Sequence, residues 1–132
     1  MAAGRSQFER LSSRSAQIPL VFLPGLFMGR PMWEPVLAQC AQREREALVS
    51  AKSYLKMPGA GATVEELADE LSEALASAGV PRATLVGASF GGLIALEFAK
   101  RHAARLDRLV LCGAPGFGGG FQTGIRTRRA MT

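Results

Sequence analysis

The chain has 132 residues, 48% of them hydrophobic, and a formal net charge of +5. That length suits one domain or part of one, and the apolar fraction calls for a packed core rather than a disordered chain. Much of the excess charge sits at the ends, at Arg5, Arg10 and Arg14 and again at Arg126, Arg128 and Arg129. No basic stripe interleaved with aromatics lies between, so nucleic-acid binding is not expected; no apolar run approaches a membrane span.

Residues 1–17 read as a flexible leader. They are rich in arginine and serine, and they lack the apolar core of a secretory signal. They resemble either a bacterial leader or, faintly, an organelle transit peptide. Ile18 to Leu23 reads as a buried strand stopped by Pro24-Gly25. Pro31 suits a helix start and Pro35 its first turn. That helix carries Trp33, Val36, Leu37 and Cys40 at helical spacing and ends near Arg43. Ala47 to Ala51 is a second short strand, followed by a loop holding Tyr54, Lys56 and Pro58-Gly59-Ala60-Gly61.

Thr63 and Glu66 form a capping box for the next helix. Val64, Leu67, Ala68, Leu71, Ala74, Leu75 and Ala78 line one face of it. Gly79 and Pro81 stop it. Ala83 to Val86 is the third strand, Gly92 to about Arg101 the third helix, and Arg108 to Cys112 the fourth strand. Residues 116–132 form a Gly/Arg-rich tail or the start of a lid. This alternation predicts an α/β fold, a mostly parallel sheet with helices on both faces. Cys40 and Cys112 lie far apart among apolar neighbours, without a CxxC. They read as buried free thiols of a reducing compartment. A cytoplasmic, bacterial setting is expected, with organelle import as the alternative.

The pentapeptide Gly87-Ala88-Ser89-Phe90-Gly91 joins the third strand to the third helix. Strand, G-x-S-x-G, helix is the context of a nucleophile elbow, a tight strained turn that pushes the serine hydroxyl above the sheet. A side chain two residues before or after the serine would strike neighbouring backbone, and Gly87 and Gly91 avoid that. The helix N-terminus behind Ser89 favours a developing anion. A dinucleotide-binding turn needs G-x-G-x-x-G, and this spacing does not supply it. No cofactor and no metal site are expected. In open α/β sheets, sites form beyond the carboxyl ends of strands. If the strand ending at Leu23 neighbours the one ending at Ser89, the loop after Gly25 and the Phe90 N–H converge as an oxyanion hole.

The runs PLVFLPGLFMGRPMWEPVL and ATLVGASFGGLIALEFAKRHAARLDRLVLCGAP together resemble the α/β-hydrolase superfamily from about Ile18 to Pro115. The resemblance implies a partial α/β-hydrolase core over 18–115 with about four strands. It implies Ser89 as nucleophile and the N–H groups of Leu26 and Phe90 as oxyanion donors. A serine hydrolase of this kind also needs a base, and an acid to orient the base, in the order Ser, Asp or Glu, His. The one histidine, His102, lies at the far end of the elbow helix, roughly 20 Å from Ser89 at the helical rise. It reads as a turn residue. Asp107, Glu97 and Asp69 are placed away from the site, and a pairing of Ser89 with Lys52 or Lys56 is the minor alternative.

The expected function is a carboxylic-ester-type serine acyl hydrolase acting on a small acyl substrate. The acid and base are missing from this chain, and it is expected to lack the front hairpin, the lid and the last strands of the fold. An N-terminal portion of such an enzyme, weak or inactive alone, is the simplest reading. The alternatives are a non-catalytic interaction module or an acyltransferase. The uncovered fourth strand is expected to promote self-association through the sheet edge.

Overall fold

The computed structural model describes residues 8–10, 17–25, 28–50 and 63–114. In chain order the strands are β1 (Phe8–Arg10), β2 (Leu20–Leu23), β3 (Ala47–Ser50), β4 (Ala83–Ala88) and β5 (Leu106–Cys112). The helices are α1 (Glu34–Gln42), α2 (Val64–Ser77) and α3 (Phe90–Arg101). One sheet orders the strands β1-β3-β2-β4-β5. β2, β3, β4 and β5 pair parallel; β1 pairs antiparallel with β3. The four expected strands are thus present and parallel.

No strand is expected among residues 1–17, yet Phe8–Arg10 forms β1 on the front edge. Phe8 is buried in the core, so one aromatic anchor and the open edge of β3 explain a strand too short to show periodicity. One antiparallel front strand is therefore present where the sequence reading has none. Residues 116–132, with Lys52 and Lys56, lie outside the described residues.

The strands alternate between two apolar clusters. Val21 and Leu23 of β2 and Leu85 of β4 pack with Leu71 and Leu75 of α2 and Ile94 and Phe98 of α3. Phe22, Val86 and Ala88 pack on the other face with Trp33, Leu37 and Cys40. Helices therefore cover both faces, α2 and α3 on one and α1 on the other. Full burial of side chains such as Phe22 and Phe98 stabilises the fold by ~1.5–3 kcal/mol each.

Local signals set the helix ends. Thr63 accepts from the Glu66 N–H at 3.1 Å, and the Glu66 carboxylate accepts from the Thr63 N–H at 3.3 Å. That capping box fixes the first turn of α2. Pro31 sits in a 3-10 turn, Arg30–Trp33, that leads into α1, and Pro35 falls in the first turn of α1. Neither proline removes an intrahelical hydrogen bond there.

Candidate active site

The central pair of strands builds the site. β2 and β4 are hydrogen-bonded neighbours, with Leu23 opposite Gly87. The turns at their carboxyl ends therefore rise above the same edge of the sheet. Ser89 is the single residue between β4 and α3. Its backbone has φ 50° and ψ −116°, a left-handed conformation that a non-glycine residue adopts at a cost.

Backbone hydrogen bonds hold that strain in place. The Ser89 N–H donates to the Cys112 carbonyl at 3.0 Å. The Ser89 carbonyl accepts from Gly92 N–H at 2.9 Å and Leu93 N–H at 3.3 Å. Ser89 is exposed, and its hydroxyl makes no capping hydrogen bond to the helix. The side chain is thus exposed and does not cap α3, while the main-chain N–H and C=O are both engaged.

The glycines are required by close backbone approach. A methyl on Gly87 would stand 2.6 Å from the Gly91 carbonyl oxygen. A methyl on Gly91 would collide with the Leu23 and Pro24 carbonyl oxygens. Gly92 is backed against Ala114, where a methyl would come within 2.6 Å of the Ala114 Cβ. Gly25 comes over the serine, since a methyl placed on it would stand 3.4 Å from the Ser89 Cβ. The loop after β2 and the elbow therefore converge.

Phe90 occupies the first position of α3, directly after the serine. Leu26 lies outside the described residues. The nearest described marker of its loop is the Met28 N–H, which donates to the Gly25 carbonyl at 3.2 Å.

Among the described residues, the histidine and the three acids weighed for the triad lie elsewhere. His102 caps the C-terminal end of α3, and its Nε2 lies 2.8 Å from Asp69 Oδ1 on α2. Asp107 pairs with Arg82 at 3.3 Å, at the opening of β5. Glu97 pairs with Lys100 at 3.3 Å along α3. None of these approaches the elbow. The Asp69–His102 pairing is absent from the sequence reading, because it depends on how α2 crosses α3.

Cys40 is buried on the sheet-facing side of α1, where burial pushes its thiol up. Cys112 is exposed, against the expectation of burial. It lies on β5, at the end of the sheet's strand order, where the described residues leave one face uncovered. Among the described residues no group of three or more His, Cys, Asp or Glu is placed to hold a metal ion. No described helix is long and apolar enough to cross a membrane.

The chain is similar to known proteins. The chain is 32% identical over 94 residues to a pimeloyl-[acyl-carrier protein] methyl ester esterase of Aromatoleum aromaticum, covering 71% of this chain and 36% of that protein. It is 40% identical over 53 residues to a homoserine O-acetyltransferase of Thermus thermophilus, covering 40% of this chain and 14% of that protein. Its fold matches a thermophilic esterase from Thermogutta terrifontis with a TM-score of 0.69 and 27% identity, over 83% of this chain and 40% of that one. The chain spans less than half the length of each of these relatives. The model of the alpha/beta hydrolase family matches residues 20–131, and the chain belongs to that family.

Proposed function

We propose that this chain carries the nucleophile of a serine acyl hydrolase of the carboxylic-ester type, acting on a small acyl substrate. The observation that supports it most is Ser89, an exposed serine held at φ 50° on a turn between strand and helix. In this reading the Ser89 Oγ attacks the acyl carbonyl and its proton passes to a base. The oxyanion is met by backbone N–H groups, with Phe90 at the head of α3 as one donor and Leu26 as the other. Such donors contribute ~10²–10³ in rate each. The base returns that proton to the departing alkoxide, so the ester C–O bond breaks and an alcohol leaves. Water, giving a proton to the base, then attacks the acyl-Ser89 carbonyl and releases the acid, and the proton returns to the Ser89 Oγ.

The base is the missing partner. His102 closes the opposite end of α3 and is engaged with Asp69. The acid and base of this reading therefore come from outside the described residues. The 132-residue chain alone is expected to be a weak enzyme, with residual catalysis of ~10³–10⁴ over water. A reducing, cytoplasmic setting fits the two free thiols. The uncovered β5 suits self-association of the chain.

A fluorophosphonate probe tests the reading. Slow labelling at Ser89, seen at long exposure and lost in Ser89→Ala, is expected, because the base that would activate the hydroxyl lies outside the described residues. No labelling of a folded chain would turn the assignment toward a non-catalytic interaction module. Acyl transfer is the second reading, favoured by the similarity to the acetyltransferase. It is separated from hydrolysis by adding a competing alcohol or thiol and measuring how the acyl product partitions.

A further inference from the structure

Three large hydrophobic side chains stand exposed among the described residues: Met28, Val36 and Val110. Val36 lies on α1, and Val110 lies on β5 opposite Val86, lower on the strands than the turn that carries Ser89. Met28 is different. The point that a methyl on Gly25 would occupy lies 3.6 Å from the Met28 Sδ and 3.4 Å from the Ser89 Cβ. The thioether and the serine therefore flank the same glycine, no more than about 7 Å apart. The Met28 N–H also donates to the Gly25 carbonyl, which ties its backbone to that glycine.

We infer that Met28 is a specificity-determining residue, its thioether forming the first apolar contact for the acyl chain of a substrate held at Ser89. The inference rests on the reading of Ser89 as nucleophile. An acetyl group ends before the sulfur, and a longer chain reaches it. The contact takes water-exposed methylenes and a 48% exposed methionine out of solvent together. Methionine is unbranched and polarisable, so it accommodates chains of varied shape. The site accordingly selects for acyl length more than for branching. Each methylene buried strengthens binding roughly three- to fourfold.

The test is methyl NMR on the full chain carrying 13C-methyl methionine, with Met28→Leu identifying the Met28 signal among the five methionines. Methyl octanoate, octyl acetate and methyl acetate are titrated separately. The Met28 methyl is expected to shift with methyl octanoate at concentrations at least tenfold below those needed with methyl acetate. Met28→Gln, which replaces the thioether with a polar group of similar length, is expected to abolish that length preference, read as binding to a fluorescent fatty acyl ester. An unmoved Met28 methyl, an equal response to methyl acetate, or a response to octyl acetate alone overturns the inference. The same titration in Ser89→Ala, beside fluorophosphonate labelling of the parent chain, separates the two claims. A Met28 shift without Ser89 labelling removes the nucleophile and leaves the apolar contact; Ser89 labelling with a silent Met28 does the reverse.

Discussion

His102 donates its Nε2–H to Asp69 Oδ1 at 2.8 Å, at the end of α3 opposite Ser89. The same carboxylate takes a forked pair from Arg101, at 2.9 Å to Oδ1 and 2.7 Å to Oδ2. Arg105 adds a bond to the Ser72 carbonyl at 2.9 Å, and the Phe98 ring lies 5.2 Å from the imidazole. An acid and an imidazole in contact resemble two members of a catalytic triad. Here they fasten the end of α3 to α2. Asp69→Ala and His102→Ala are therefore expected to lower the melting temperature. Neither should change fluorophosphonate labelling of Ser89 per folded molecule. Loss of labelling in a variant that keeps its fold would show that the pair belongs to the site.

The same cluster sets an acid limit. The hydrogen bond from Arg101, followed by that from His102, lowers the Asp69 carboxyl from 3.8 to about 2. A depressed folded-state value means that the unfolded chain binds the proton first as pH falls. The contribution of Asp69 is fully present above the usual carboxylate range and disappears as pH drops through about 2. Melting curves of the parent and Asp69→Asn are expected to converge over that interval. Curves separated by a constant amount down to pH 2 would show that the carboxylate charge does not matter.

Much of this fold is legible in the sequence because single residues carry single demands. Thr63 and Glu66 announce the start of α2, and Gly87 and Gly91 announce the elbow, since each answers a local steric or hydrogen-bonding need. β2 and β4 show as short apolar runs buried on both faces. What is not legible depends on partners distant along the chain. β1 has one buried anchor, Phe8, and exists through its pairing with β3. The Asp69–His102 contact joins α2 to the residue that closes α3, and no local pattern announces it. Cys112 has the apolar neighbours of a buried residue, but its exposure follows from the position of β5 in the sheet.

The glycines make separable predictions. Gly91→Ala puts a methyl into the Leu23 and Pro24 carbonyls, and backbone cannot yield as a flexible side chain does. A loss of roughly 3 kcal/mol or more is expected in urea unfolding. Gly29 is the control, since a methyl there meets only the Pro31 ring at 3.8 Å. Gly29→Ala should stay within about 0.5 kcal/mol of the parent. Equal effects at the two positions would refute the steric account of the elbow.

Ser89 itself stores strain. A non-glycine residue in a sparsely populated region costs ~1–3 kcal/mol, and Ser89 sits at φ 50° and ψ −116°. Glycine tolerates positive φ without the Cβ penalty. Ser89→Gly is expected to raise stability by ~1 kcal/mol, offset in part by the greater freedom of glycine in the unfolded chain. Ser89→Ala keeps the Cβ and should leave stability nearly unchanged. Both variants lose labelling. A Ser89→Gly protein less stable than Ser89→Ala would mean that the turn is not strained.

β5 carries the last prediction. Leu109 and Leu111 pack against the cluster under α2 and α3, while Arg108, Val110 and Cys112 alternate onto the opposite, exposed face. α1 covers that face over β2, β3 and β4 through Phe22, Val49 and Val86. At β5 the described residues leave Val110 44% exposed on the final strand of the sheet. An uncovered apolar strand edge templates pairing with another chain. The purified chain is expected to self-associate with rising concentration, and Val110→Lys to reduce that association by placing a charge on the face. Cys112 reports it directly, because it lies on the same strand and is exposed, whereas Cys40 is buried. Maleimide should modify Cys112 more slowly as the concentration of the parent rises, and at one fixed rate in Val110→Lys. A chain that elutes as a monomer at every concentration, with an unchanging Cys112 rate, would show that β5 is not an adhesive edge.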